Sequence, residues 1–128
     1  MKDIAIAVKD LIAFDEKVTP GEIEAAAAKH GFSRYPLTSD GEIVGYVHLK
    51  DVIDLRDDEM HKPMPSKRIR TLIALPNNME LEDALASMKR VGAHMAKSFD
   101  RSGNVLGVLF LEDILEELVG EVTDATQR

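Results

Sequence analysis

The sequence contains no cysteine and no long run of apolar residues. Disulfide bonds and thiolate chemistry are therefore excluded, and the composition agrees with a reducing compartment. No apolar segment approaches the roughly 20 residues that a membrane-spanning helix needs, and the N-terminus lacks the zones of a signal peptide. We therefore expect these residues to form a soluble chain.

Basic residues are in the minority, since 16 Lys and Arg face 23 Asp and Glu and leave a formal net charge of −7. Such a chain repels a nucleic-acid backbone, and its basic cluster contains no aromatic residue for base stacking. We expect no nucleic-acid partner, and we interpret the cluster as a solvated linker interrupted by prolines. The cluster consists of Lys62, Lys67, Arg68 and Arg70, around Pro63 and Pro65.

Catalytic and metal-binding motifs are also missing from the sequence. No Ser, Thr or Lys nucleophile stands in a recognisable catalytic setting, and no G-x-x-x-x-G-K phosphate loop occurs. The histidines lack metal-ligand spacing, and an acidic helix end is usually solvated although its carboxylates could hold Mg²⁺ weakly. We expect no enzyme activity, no catalytic residue and no metal site. The residues considered are His30, His48, His61, His94, Glu116, Glu117, Glu121 and Asp124.

The sequence does contain an internal repeat with a shift of 62 residues. Segment 41–51 aligns with segment 103–113, and four of the eleven aligned positions are identical. A unit this short cannot bury its apolar face alone, so the two copies are expected to pack together. We predict repeats at residues 1–60 and 61–128, with a linker at about 57–68.

The first copy predicts the element order strand, helix, strand, strand, helix. Thr19, Pro20 and Glu22 form the capping-box pattern that begins a helix, and Gly31 is a typical helix terminator. Ser39-Asp40-Gly41 predicts a turn between two antiparallel strands. The predicted elements are strands 11–14, 33–38 and 43–49, and helices 19–29 and 50–56.

The second copy predicts the same order. Asn77 with Glu80 indicates the start of its long helix, and Gly92 indicates the end. The helix has one apolar face, because four apolar residues follow one another at i, i+3, i+4 and i+7. These residues are Leu81, Ala84, Leu85 and Met88, and the later elements are strands 93–99 and 104–111 and a helix at 112–119.

Segments 45–51 and 107–113 resemble the signature of cystathionine-β-synthase (CBS) domains, which is Gly, two apolar residues, Thr or Ser, two further residues and Asp. The resemblance covers nearly the whole chain. It implies an α/β fold of mixed α+β type, in which two β-α-β-β-α CBS repeats form one module about a pseudo-twofold axis. A groove flanked by two acidic side chains is expected between the repeats.

Among CBS proteins, the chain is most similar to the CorC/HlyC (CNNM-type) membrane proteins implicated in magnesium and cobalt efflux. The similarity lies in segments 31–36, 48–51 and 94–96, and above all in segment 111–124. It implies a regulatory, cytoplasm-facing module of a protein that also has a transmembrane domain. The expected ligand is ATP or AMP, with or without Mg²⁺, no cofactor is obligatory, and the expected partner is a second copy of the chain.

The resemblance also implies which residues bind the nucleotide. Asp51 and Asp113 each follow a strand and stand in the first turn of a helix, where a carboxylate can accept from two ribose hydroxyls. Each could instead only complement the helix dipole, which stabilises a helix by about 0.3 to 1 kcal/mol. The family segment favours Asp113 over Asp51. Arg34 would bind a polyphosphate, or would form a surface ion pair.

Three further positions carry weaker expectations. Phe32 would cover the adenine or pack in the core. His48 and Phe110 stand where the family has a phosphate-contacting hydroxyl, and Phe110 could stack on a base or belong to the core. The family's proline near the first strand is also absent, because residues 7–9 are Ala-Val-Lys. These departures leave a ligand-free dimerisation and scaffold module as the alternative function.

Overall fold

The computed structural model describes residues 5–7 and 10–126. Along these residues run strands β1 (Ile6–Ala7), β2 (Phe14–Asp15), β3 (Arg34–Ser39), β4 (Glu42–His48), β5 (Ile73–Pro76), β6 (Met95–Phe99) and β7 (Val105–Phe110). The helices are α1 (Pro20–His30), α2 (Lys50–Ile53), α3 (Leu81–Val91) and α4 (Leu111–Thr126). The predicted mixed α/β class and the predicted β-α-β-β-α order of each copy are confirmed.

The chain divides into two compact units. The unit called the first half comprises residues 12–71, and the second half comprises residues 72–126 with the described residues before Ile12. These units follow spatial contacts, whereas the repeat limits 1–60 and 61–128 follow sequence similarity and remain a prediction.

The first half contains a three-stranded sheet in the order β2-β3-β4, with β2 parallel to β3 and β3 antiparallel to β4. The predicted capping box begins α1, since Thr19 Oγ1 accepts from the Glu22 N–H at 3.2 Å and Glu22 Oε1 accepts from the Thr19 N–H at 3.1 Å. Gly31 ends the helix with φ of 77°, a left-handed conformation that glycine adopts without steric cost. The start and end of α1 are thus confirmed.

The second half contains a four-stranded sheet in the order β1-β7-β6-β5, in which only the β5–β6 pair is parallel. Gly92 ends α3 with φ of 69°, as predicted. The predicted start of α3 at Asn77 is wrong, because the Asn77 N–H donates to the Phe99 carbonyl at 2.9 Å and continues the β5–β6 ladder. The helix is capped by Glu80, which makes no side-chain capping bond.

Each half has its own apolar core. In the first half, Met64 is only 4% exposed and its N–H donates to the Val18 carbonyl at 2.8 Å, so part of the expected solvated linker is core. In the second half, Ala84 and Met88 are buried while Leu81 and Leu85 pack against them, which confirms the predicted apolar face of α3. None of the helices in the described ranges is long and apolar enough to span a bilayer.

Candidate functional site

Four predicted site residues lie close to one end of the first-half sheet. Arg34 begins β3, His48 ends β4, and the two are register partners across the antiparallel pair. The Leu49 N–H donates to the Ser33 carbonyl at 2.7 Å and holds the start of β3 beside the start of α2. The hairpin therefore brings Phe32, Arg34, His48 and Asp51 to the same end of the sheet.

The Asp51 carboxylate is occupied by donors of the protein itself. Arg70 donates from Nε to Oδ2 at 2.9 Å and from Nη2 to Oδ1 at 2.8 Å, and the His48 N–H donates to Oδ2 at 2.9 Å. A planar guanidinium matches the two oxygens of a carboxylate and forms a strong, charge-assisted pair. We call this contact the Asp51–Arg70 pair.

The Asp51–Arg70 pair determines the ionisation of both groups. Burial alone would raise the pKa of Asp51, but the hydrogen bonds from Arg70 and from the His48 N–H bring that pKa below its ordinary value. The hydrogen bond to Asp51 raises the pKa of Arg70 in turn. Both groups are therefore charged at neutral pH, and Asp51 carries no unused negative charge.

The segment that carries Arg70 lies along the edge of β4 like a short strand. The Tyr46 N–H donates to the Arg70 carbonyl at 2.9 Å, and the Arg70 N–H donates to the Tyr46 carbonyl at 2.8 Å. Arg68 donates from Nη1 to the Asp51 carbonyl at 2.9 Å and to Asp54 Oδ1 at 2.7 Å. The interpretation of this basic cluster as a solvated linker is therefore wrong for Arg68 and Arg70.

His48 is half-buried and its ring is held by the backbone. Its Nδ1 accepts from the Lys50 N–H at 3.0 Å. Burial lowers the pKa of His48, and the positive charges of Arg34, Arg70 and Lys50 lower it further, whereas Asp51 raises it. These surroundings therefore favour the neutral form of His48.

Phe32 does not pack in the core. Its side chain is 54% exposed, and it stacks on His30 with ring centroids 6.4 Å apart and planes 11° apart. Its other aromatic neighbour is the buried Tyr35, at 6.4 Å between centroids. The core alternative for Phe32 is thus excluded.

The second half contains Phe110 and Asp113. Phe110 is the half-buried last residue of β7 and pairs with Met95, and Asp113 lies in the first turn of α4. Partial burial raises the pKa of Asp113, and the neighbouring charges of Glu116 and Glu112 raise it further. Among the described residues, no hydrogen bond or ion pair involves the Asp113 carboxylate. Asp113 thus differs from Asp51, whose two oxygens are both occupied.

The remaining predictions about sites concern metals and the N-terminal segment. The described residues include no group of three or more metal-binding side chains. The side chains of Glu121 and Asp124 lie outside the described part, as do Val8 and Lys9 of the segment that lacks the family's proline. The expectation of no metal site remains a prediction.

Acid should weaken the first half through Asp51. Because the folded pKa of Asp51 lies below the unfolded value of about 3.9, the stability it contributes is complete above that value and is lost as the pH falls through the folded pKa. We expect Asp51→Asn to be less stable than wild type at pH 7 and the difference to shrink below about pH 4. Urea unfolding of both proteins between pH 7 and pH 3 measures this, and a constant difference would contradict it.

A family model described as "CBS domain" matches residues 1–58 of the chain. The matched residues include the hairpin of β3 and β4, helix α2 with Asp51, and Gly45 of the predicted signature. Residues 1–58 of the chain therefore form a CBS domain. The resemblance to CBS domains, predicted from the signature, is thereby confirmed for these residues.

Relatives and solved structures specify which CBS proteins the chain is similar to. An uncharacterized protein of Mycobacterium tuberculosis is 38% identical over 111 residues, which cover 86% of this chain and 32% of the relative. Hemolysin C of Rickettsia prowazekii is 29% identical over 127 residues, which cover 97% of this chain and 42% of the relative. The chain thus spans about a third to two fifths of the length of these relatives.

The fold is shared with a CBS domain of the bacterial CNNM/CorC family of Mg²⁺ transporters, solved in complex with ATP. That structure superposes with a TM-score of 0.83 at 27% identity, covering 93% of this chain and 86% of the other. The CBS fold and the similarity to CorC and hemolysin-like proteins, both predicted from the sequence, are confirmed.

Proposed function

We propose that this chain is a regulatory module that binds an adenine nucleotide and transmits its occupancy to a membrane ion transporter of the CNNM/CorC type. The ATP complex of the similar CNNM/CorC CBS domain supports the choice of ligand. The observation that carries the proposal in this chain is Asp113, a half-buried carboxylate in the first turn of α4 that lies beside acidic neighbours. A ribose diol supplies two hydroxyl donors for such a carboxylate.

The other predicted residues supply the remaining chemistry. Arg34 provides a cation for the phosphates, and the exposed ring of Phe32 provides a face on which an adenine can stack. Phe110 is half-buried at the end of β7, and we assign to its ring a stacking contact with a base. Asp51 has a structural role, because Arg70 already occupies it.

Regulation by a ligand requires a difference in affinity between two states of the module. We infer that nucleotide occupancy changes the packing of a homodimer and thereby biases the attached transmembrane domain. The role is regulatory and not catalytic. Mg²⁺ would arrive with the nucleotide, because phosphates and water are its usual ligands.

Thermal and urea denaturation with ATP, ADP or AMP, each with and without Mg²⁺, tests the proposal. A nucleotide at ten times its dissociation constant should stabilise the chain by about 1.4 kcal/mol. Asp113→Ala should abolish this gain, whereas Asp51→Ala should lower the stability of the unliganded chain but retain a gain from nucleotide. Equal loss of the ligand effect in both variants would contradict the choice of Asp113.

The alternative function is a ligand-free dimerisation scaffold, and exposed apolar residues favour it. Leu115 and Val119 lie one turn apart on α4 and are 42% and 63% exposed. Ile53 of α2 is 69% exposed. If no nucleotide stabilises the chain at millimolar concentration while sedimentation shows a dimer, the scaffold is the better description.

A further inference from the structure

A small cavity lies at one end of the second-half sheet, between two loops. One loop follows β5, and the other is the turn between β6 and β7. The cavity has a volume of about 340 Å³, at the small end of the range of about 300 to 1,000 Å³ that ligand sites occupy. Its walls are formed by Pro76, Asn77, Asn78, Phe99, Asp100 and Arg101.

This cavity lies away from the second-half residues proposed for the nucleotide. The turn precedes Val105, the first residue of β7, whereas Phe110 ends that strand and leads into α4 with Asp113. Five steps of about 3.4 Å along the strand place Phe110 roughly 17 Å from Val105. The cavity is therefore a separate place on the second half.

Backbone groups hold both loops that form the cavity. The Asn77 N–H donates to the Phe99 carbonyl at 2.9 Å and ties the first loop to the sheet. Asp100 Oδ1 accepts from the N–H groups of Ser102 and Asn104, both at 2.9 Å, and fixes the second loop. The cavity is therefore preformed, which lowers the entropy cost of binding a ligand.

The equivalent place in the first half is bridged by side chains. The Glu16 N–H donates to the Thr38 carbonyl at 2.9 Å, in the same way as Asn77 donates in the second half, and Glu16 Oε1 also accepts from Ser39 Oγ at 3.0 Å. Within residues 10–126, the side-chain amides of Asn77 and Asn78 make no hydrogen bond. These amides are therefore available to a ligand.

Two groups of opposite charge border the cavity. Arg101 makes no hydrogen bond or ion pair within the described ranges, and its planar guanidinium matches a carboxylate. Asp100 Oδ2 has a described donor in Asn104 Nδ2, but the distance of 3.5 Å is long for a hydrogen bond. Oδ2 can therefore still accept from an ammonium group.

We propose that this cavity binds a free α-amino acid with an apolar side chain. Arg101 pairs with its carboxylate, Asp100 pairs with its ammonium group, and Pro76 and Phe99 form an apolar wall for its side chain. The two protein charges sum to zero, so a zwitterion leaves neither unpaired, whereas a phosphate would bring an excess of negative charge. The proposal goes beyond the nucleotide-binding function and gives the module a second kind of ligand.

NMR titration of the isotope-labelled chain with L-phenylalanine tests the proposal. We expect shifts of the amide signals of residues 77–79 and 99–104, with a dissociation constant on the order of 1 mM, because a small ligand makes few contacts. N-acetyl-L-phenylalanine lacks the ammonium group and L-phenylalanine amide lacks the carboxylate. Each should bind at least about fivefold more weakly than L-phenylalanine.

The variant Arg101→Gln removes the partner of the carboxylate, and Arg90→Gln is the matched control. Arg90 is an exposed residue of α3 and does not line the cavity. We expect Arg101→Gln to bind L-phenylalanine about fivefold more weakly, but to bind L-phenylalanine amide as wild type does, since the amide has no carboxylate to lose. Arg90→Gln should bind both ligands as wild type does.

Three results would each overturn the proposal. The first is the absence of shifts at the cavity with about 20 mM L-phenylalanine. The second is equal affinity for L-phenylalanine and its two derivatives, and the third is a set of shifts centred on Phe110 and Asp113. The comparison of the three ligands uses the wild-type chain, so a folding defect of a variant does not affect it. The nucleotide function is tested separately with ATP and stands or falls on that result.

Discussion

Replacing Arg70 by Gln should lower the free energy of unfolding by about 2 to 3 kcal/mol. The substitution leaves Asp51 charged, with a side chain only 13% exposed, and removes both guanidinium hydrogen bonds. Removing one partner of a fully buried ion pair costs about 3 to 5 kcal/mol, and the 34% exposure of Arg70 places this pair below that range. Urea denaturation at pH 7 measures the loss.

Arg68→Gln is the matched control, since Arg68 lies two residues earlier on the same segment. Its partner Asp54 is 66% exposed, so solvent screens this pair and we expect its loss to cost less than the loss of the Asp51–Arg70 pair. Equal losses in the two variants would mean that the segment is held by general charge attraction and not by the Asp51–Arg70 pair. A further variant with Asp51→Asn and Arg70→Gln together should be more stable than Arg70→Gln alone, because no buried charge then remains unpaired.

Gly45→Ala should be destabilising by a similar amount, about 2 to 3 kcal/mol. A Cβ atom at this position would lie 2.8 Å from the Arg70 carbonyl oxygen and 2.8 Å from Cγ2 of Ile69. The carbonyl belongs to the backbone that bonds Tyr46, so it cannot move without breaking that pair of hydrogen bonds. Calorimetric unfolding would show the loss, and faster amide exchange at Tyr46 would show its location.

Gly120→Ala provides the opposite control. Gly120 lies in α4, and outside the backbone of its own helix a Cβ atom there would meet no atom of the described residues within 4 Å. Alanine stabilises a helix interior by about 0.5 to 1 kcal/mol relative to glycine, so this variant should gain stability. If both alanine variants lost stability to the same degree, the close approach at Gly45 would not be the cause.

Local features of the fold could be predicted from the sequence because their signals lie within a few residues of one another. The signals of the capping box, which consists of Thr19 and Glu22, and of the terminators Gly31 and Gly92 each lie within a single helical turn. The start of α3 could not be predicted in this way. Asn77 is a residue type that often caps helices, but its backbone N–H donates to Phe99 and belongs to the β5–β6 ladder. The residues next to Asn77 do not distinguish a helix cap from a position in a strand.

The nucleotide-binding residues remain a prediction, and the partner of Asp51 could not be predicted from the sequence. The repeat identified Asp51 and Asp113 as equivalent positions, but within the described residues an arginine contacts Asp51 and none contacts Asp113. The arginine that contacts Asp51 is 19 residues away along the chain. No periodic pattern connects residues 51 and 70, and the prolines around the basic cluster favoured a solvated segment. The difference between the two carboxylates therefore arises from tertiary structure that the repeat does not encode.

The hydrogen bonds between Tyr46 and Arg70 also have a consequence for the behaviour of the chain at high concentration. In the order β2-β3-β4, β4 is an edge strand, and an uncovered edge can pair with the strand of another molecule. The Arg70 segment engages both polar backbone groups of Tyr46 in the middle of that edge. The Arg70 segment thus protects the edge of β4 from pairing with another molecule. A break in the chain that released this segment would promote aggregation before it abolished the fold.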